Sequence, residues 1–197
     1  VYKRQIYDGV QTKVYKPSEF HRQNANPIGN QTHFIAGDKD GNVFFDSDQS
    51  LIRYDIQTQK FSCLRKSNVY TVASIKGTIW VGIADSILTW NPDKNDFDFV
   101  TRLENRNQRA TCLLEDSGGR YWIGTTDGLF RMNDDKSLTC MIMGEDIYDL
   151  YEDSKYNLWI SIRMNGMYKR DVHGNFTRYR YDPSNPNNIS SLSLIHI

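Results

Sequence analysis

Four times in this chain an acidic or hydroxyl residue is followed, six positions later, by a large aromatic that opens a short run of strand-forming residues. The pairs are Asp38 with Phe44, Ser74 with Trp80, Asp116 with Trp122 and Asp153 with Trp159. The four aromatics stand 36, 42 and 37 residues apart. A period of about forty residues that carries strand formers is the mark of a stacked array of small sheets, as in the blades of a propeller. Gly41, Gly77 and Gly119 stand three positions before their aromatic, with Tyr156 in that place in the last copy. They read as tips of the first hairpin. Gly82 and Gly124 stand two positions after it, where a neighbouring sheet can approach closely; Asp46 and Ser161 take that place elsewhere.

The third repeat shows the plan best. Residues 110–115 (ATCLLE) read as a strand, 116–119 (DSGG) as a turn and 121–124 (YWIG) as a second strand. Residues 125–128 turn again, 129–132 (LFRM) form a third strand, and 137–141 (SLTCM) a fourth after the turn at 133–136. Matching third strands fall at 51–54, 87–90 and 167–170, and matching fourth strands at 61–64, 97–100 and 176–179. Four short antiparallel strands per period make a propeller blade. Long apolar runs of period 3.6 are missing, which argues against a coil of helix pairs. The expected fold is therefore all-β, a partial β-propeller of four-stranded antiparallel blades. Blades are expected at 31–67, 68–105, 106–143 and 144–181. VYKR at 1–4 resembles MYKR at 167–170, so 1–30 reads as the outer strands of a preceding blade, and 182–197 as a linker and the start of the next. Four to five blades of a larger ring result, since rings close with about 4–8. An open arc exposes blade faces and strand edges, so a fragile, association-prone segment is expected.

The chain has 24 basic and 24 acidic residues, hence no net charge. Nucleic-acid binding needs a concentrated basic face and membrane-surface anchoring needs a polybasic one, so neither partner is expected. No apolar run approaches the ~20 residues of a membrane helix. Residue 1 is Val and no charged start with an apolar core follows, so there is no leader to read. Cys63, Cys112 and Cys140 fall in expected strands without metal-ligand spacing and read as buried free thiols.

Catalytic constellations are absent from the sequence. His21, His33, His173 and His196 are scattered and make no HxH or HExxH pattern. Asp38, Asp40 and Asn42 suggest the start of a calcium loop, but the twelfth position, which needs a bidentate Glu, holds Gln49. Glu115 with Asp116, and Glu152 with Asp153, are paired acids, yet they recur at one repeat position and point to a turn role rather than to glycoside hydrolysis. No metal, cofactor or catalytic residue is expected.

Residues 113–133 (LLEDSGGRYWIGTTDGLFRMN) resemble the two-component regulator propeller repeat, and 149–171 (DLYEDSKYNLWISIRMNGMYKRD) is a second good match. Residues 72–91 are a weaker third and 34–55 the most altered, with Phe44 for Trp and Asp46 for Gly. The resemblance implies the extracytoplasmic, periplasmic sensor region of an inner-membrane hybrid two-component regulator that responds to oligosaccharides. It also implies a histidine kinase elsewhere in the full-length protein, a second propeller and a homodimer.

Ligand contacts are expected where loops depart from the repeat, because loops on a rigid scaffold carry binding. Those loops are 83–86, 104–109 and 163–165. Arg106, Arg109 and Arg163 can bond hydroxyls or carboxylates, and Tyr148, Tyr70 or Tyr156 can stack on a sugar. Asp38, Phe44, Trp80, Gly82, Asp116, Trp122, Gly124, Asp153 and Trp159 are assigned to holding the repeat together. The leading reading is a non-catalytic, glycan-responsive sensor segment. The alternatives are a propeller lyase or hydrolase acting on polysaccharide, and a purely structural or protein-interaction propeller.

Overall fold

The computed structural model describes residues 5–7, 12–14, 31–47 and 50–180. Strands β1 (Gln5–Tyr7) and β2 (Thr12–Val14) form an antiparallel pair. Four four-stranded sheets follow in chain order. The first holds β3 (Ile35–Gly37), β4 (Val43–Ser47), β5 (Ser50–Asp55) and β6 (Lys60–Arg65). The second holds β7 (Val69–Ile75), β8 (Thr78–Ile83), β9 (Ser86–Asn91) and β10 (Asp96–Arg102). The third holds β11 (Ala110–Glu115), β12 (Tyr121–Thr125), β13 (Gly128–Met132) and β14 (Leu138–Met143). The fourth holds β15 (Ile147–Glu152), β16 (Leu158–Ile162), β17 (Met167–Arg170) and β18 (Phe176–Tyr179). Each sheet is a meander in which consecutive strands pair, and no helix occurs among the described residues. The expectations for VYKR at 1–4, for His21 and His196, and for 182–197 lie outside the described residues.

The chain divides into two compact units, Val1–Val81 with Thr89–Asp98 and Gly82–Leu88 with Phe99–Ile197. In the first, Phe45, Ile52 and Tyr54 are buried with Val43, Phe61 and Cys63 against them. Phe44 is fully buried and meets Trp90 edge-on, ring centroids 5.2 Å apart. In the second unit Cys112, Trp122, Leu129, Ile147, Leu150, Leu158, Ile160 and Ile162 form one core between the third and fourth sheets. The alternation of strand side chains sends Leu158, Ile160 and Ile162 to one face of β16 and leaves Trp159 on the other. Burial pushes the Cys112 thiol up to about 12, so it packs as a neutral apolar group. The other two thiols depart from the expectation: Cys63 is half-buried and Cys140 exposed. Both lie on fourth strands, β6 and β14, where neighbours cover less of the side chain.

The recurrent acid is a hairpin cap. Asp116 accepts from the Arg120 N–H at 2.9 Å, and Asp153 from the Asn157 N–H at 2.9 Å. Asp38 does the same for Asn42 at 2.8 Å. Each turn then needs a left-handed residue: φ is 84° at Gly41, 76° at Gly77, 77° at Gly119 and 64° at Tyr156. A side chain there costs about 1 kcal/mol, partly offset by the greater chain entropy of glycine. Tyr156 is 61% exposed, so its ring contributes little packing. Tyr156→Gly is therefore expected to raise stability by about 0.5–1 kcal/mol in urea unfolding. A loss of that size would mean that the ring packs on the turn.

Candidate functional site

The second compact unit gathers its irregular loops at one end of its sheets, where β11 and β15 start and β12 and β16 finish. Both first strands carry a β-bulge at their second residue. The register shifts between Ala110 and Cys112, and again between Ile147 and Asp149. Bulges re-aim side chains at sheet ends. Here one leaves Tyr148 57% exposed and the other turns the Thr111 hydroxyl onto the Ile147 carbonyl at 2.6 Å. That bond fixes the starts of β11 and β15 side by side.

Tyr148 and Arg163, chosen from different parts of the sequence, meet. The Arg163 guanidinium lies 5.1 Å from the Tyr148 ring centroid, a cation–π distance. Arg163 Nε donates to Asp146 Oδ2 at 2.9 Å, and its backbone N–H to the Asp146 carbonyl at 2.8 Å. Beside them Asn165 donates to Glu145 Oε2 at 3.0 Å, and Arg178 pairs with Glu145 Oε1 at 2.7 Å. Met164, at the loop tip, is 89% exposed.

Arg106 and Arg109 form a second group on the loop before β11. Arg109 Nη1 donates to the Arg106 carbonyl at 2.6 Å and the Gln108 carbonyl at 2.8 Å. Arg109 thus braces its loop, while the Arg106 guanidinium is exposed and has no hydrogen-bond partner among the described residues. Gln108 is buried, and its amide nitrogen faces Asp127 Oδ2 at 3.4 Å. The Arg109 and Thr126 backbones bond at 3.0 Å, tying this loop to the end of β12. Of the other tyrosines considered, Tyr156 sits on the β15–β16 turn at the opposite end of the fourth sheet, and Tyr70 on β7.

Sequence reasoning found the arginines, Tyr148 and the loops that hold Gln108 and Asn165, but missed Asp127, Glu145 and Asp146. Glu145 and Asp146 precede the inner strand of the fourth sheet as residues 104–109 precede that of the third, so the equivalent linker position was the available signal. The assembled surface offers guanidinium donors, carboxylate acceptors and an aromatic ring at adjoining strand ends. Such a set can hold and orient a polyhydroxylated ligand. It contains no nucleophile with an adjacent base, and no cluster of His, Cys, Asp and Glu suited to a metal ion occurs among the described residues.

Of the residues assigned to holding the repeat, Asp38, Asp116 and Asp153 cap hairpin turns, and Phe44, Trp80, Gly82, Trp122, Gly124 and Trp159 lie in strands. Asp116 Oδ2 accepts from the Trp122 indole at 2.9 Å, and Asp153 Oδ2 from the Trp159 indole at 2.8 Å. Trp80 and Gly82 are buried on β8. Asp46, in the place Gly82 and Gly124 hold elsewhere, is a buried carboxylate that accepts from the His33 and Phe34 backbone N–H groups at 2.8 and 2.7 Å and faces His33 Nδ1 at 2.9 Å.

Residues 106–127 match the family model of the two component regulator propeller. No curated protein matches the chain. Among solved structures it resembles an extracellular domain described as that of a hybrid two component system of B. thetaiotaomicron, BT3049, at 20% identity and a TM-score of 0.72, covering 92% of this chain and 26% of that one. A second such domain, from BT4673, matches at 19% identity and a TM-score of 0.71, covering 85% of this chain. The chain thus spans 24% of the BT4673 domain's length. The virginiamycin B lyase of Staphylococcus aureus shares the fold at 16% identity and a TM-score of 0.63, covering 80% of this chain and 57% of the lyase. With these likenesses the sheets describe a partial β-propeller. Among the described residues no helix is long and apolar enough to cross a membrane.

Proposed function

We infer that this chain, which carries a two component regulator propeller repeat at residues 106–127, is a ligand-sensing segment of the periplasmic propeller of a bacterial hybrid regulator. The segment is non-catalytic, its ligand is an oligosaccharide, and the full-length protein carries the kinase. The observation that supports this most directly is the Tyr148–Arg163 platform, exposed at the bulged start of β15 and backed by Asp146. A sugar presents hydroxyls that donate to carboxylates and accept from guanidinium groups, and an apolar ring face that rests on exposed aromatic or methionine carbon. Glu145, Asp146, Arg163, Tyr148 and Met164 supply these chemistries from neighbouring loops.

Calorimetric titration of the protein with a panel of oligosaccharides tests this reading. Arg163→Ala and Tyr148→Ala, both in exposed positions, are each expected to weaken binding about tenfold or more. An absence of heat with every oligosaccharide class, or unchanged affinity in both variants, would remove the support for this face. Release of unsaturated products from a polysaccharide would instead favour a lyase.

A further inference from the structure

The opposite end of the third sheet carries a groove of about 330 Å³, lined in part by Arg120, Tyr121, Arg131, Asn133, Asp134 and Lys136. It lies where β12 starts and β13 ends, away from the Tyr148 and Arg163 loops. Two of its cations, Arg120 and Arg131, and Arg170 from the fourth sheet stand around one indole. Arg131 stands directly opposite Trp122 in the β12–β13 register. Arg120 Nε and the Trp122 indole donate to the same Asp116 oxygen, Oδ2, at 2.7 and 2.9 Å. Arg170, on β17 of the fourth sheet, lies 5.3 Å over the Trp122 ring.

One acid, Asp134, lines the groove with three cations, and no ion pair joins it to any of them. Arg120 is paired with Asp116 at 2.7 Å, and that acid also holds the Trp122 indole. Arg170 Nε is buried without an acceptor, and its Nη1 reaches only the Asp171 carbonyl at 3.4 Å. The side chains of Arg131 and Lys136 have no hydrogen-bond or ion-pair partner among the described residues. Burial, and after it the neighbouring Arg120 charge, holds the Arg170 guanidinium below its ordinary value; Arg131 adds to the effect and Asp116 opposes it. In a chain of zero net charge the groove lining holds three cations, Arg120, Arg131 and Lys136, to one acid, Asp134. The stacking of Arg170 on Trp122 accounts for Arg170 as a sheet-to-sheet contact, but not for Arg131 or Lys136 at the groove.

We propose that this groove is a second binding site, for a tetrahedral oxyanion of the phosphate or sulfate-ester class, held by Arg131 and Lys136 with Arg120 beside them and Arg170 behind. A planar guanidinium presents two parallel N–H donors to such an anion, and a lysine ammonium supplies a mobile point charge. The bound anion would also offset the mutual repulsion of the arginines. This site is independent of the sugar platform: either can fail without the other.

The test is titration of the protein with sodium sulfate and sodium phosphate against sodium chloride at matched ionic strength, read as binding heat and melting midpoint. A saturable response to the tetrahedral anions and none to chloride is expected. Arg131→Gln and Lys136→Gln should each weaken it about tenfold. Lys136 is exposed, so its variant keeps the fold and the test stands even if Arg131→Gln does not. A sulfated disaccharide that binds more tightly than inorganic sulfate would support the site and give sulfated glycans as its source; a phosphomonoester that exceeds inorganic phosphate would support it and give a phosphate ester. A response equal to that of chloride, or one unchanged in Lys136→Gln, would overturn the proposal.

Discussion

Asp116→Ala is expected to destabilise the protein by about 3 kcal/mol, the cost of stripping one partner from a buried, charge-assisted network. The Asp116 side chain is 2% exposed, and its carboxylate accepts from the Arg120 N–H, the Arg120 guanidinium and the Trp122 indole. Without it, a buried indole N–H and the turn amide lose their acceptor together. The loss should appear as a lower urea midpoint with an unchanged slope. Asp116→Asn, which keeps one acceptor oxygen, should lose less. The network also has a pH signature. Burial pushes the Asp116 carboxyl up, but the bonds from Trp122 and Arg120 outweigh it and hold it below its ordinary value. A folded-state value below the unfolded ~3.9 adds stability above that pH, and this stability disappears as pH falls through the folded value. Wild type should therefore lose more stability than Asp116→Ala on acidification below about pH 4. Asp153 and Asp171 are depressed in the same direction and remain in both proteins, so the difference between the two curves isolates Asp116. Parallel acid curves would show that folding does not depress the Asp116 carboxyl and that its ionisation adds no stability.

The same network explains why the repeat could be read from the sequence. An acid that caps a tight hairpin sits close to the indole two residues into the next strand, so the spacing of six is fixed by geometry. The altered first copy remained legible because the turn survives without the indole bond. Phe44 has no N–H to give, and Asp38 Oδ2 takes the Asn42 side-chain amide at 2.9 Å instead. Strand order followed from the period, since each turn joins neighbours in a meander.

Features that depend on side chains far apart in sequence were hidden. Asp46 looked like a degraded glycine, yet it is a buried acceptor for a segment thirteen residues earlier. The bulge that exposes Tyr148 is a register event, and nothing in the residues 147–149 (IYD) announces it. Trp122 and Trp159 share a motif, but their environments differ. Arg170 covers Trp122, which is 1% exposed. Trp159 is half-buried, touched by Tyr179 and Lys169, and lines a groove of about 600 Å³ with Tyr151 and Met167. A local pattern specifies the hairpin, and what packs on it comes from the next element along.

Gly124→Ala is expected to cost about 2–3 kcal/mol, and the cause is space rather than backbone strain. A methyl at Gly124 would come within 2.7 Å of Ile147 Cγ2 on β15 and closer still to Cys112 Sγ on β11. Both neighbours are buried in the shared core, so neither can withdraw without moving a strand. Gly119 is the contrasting case. It has φ of 77° and no atom nearer than Glu115 Oε1, 3.8 Å from the added methyl. Gly119→Ala should then cost only the left-handed penalty of about 1 kcal/mol. A double-mutant cycle separates the two causes. Cys112→Ala removes one of the two obstacles, so combining it with Gly124→Ala should recover about 1 kcal/mol relative to the sum of the single losses. The pairing of Cys112 with Gly124 in the β11–β12 register brings the two together within one sheet. Ile147 comes from the next sheet, and the penalty that persists in the double variant measures how closely the third and fourth sheets are pressed together. Strict additivity in the cycle would mean that Cys112 yields freely and that the whole Gly124→Ala penalty comes from Ile147 on the neighbouring sheet.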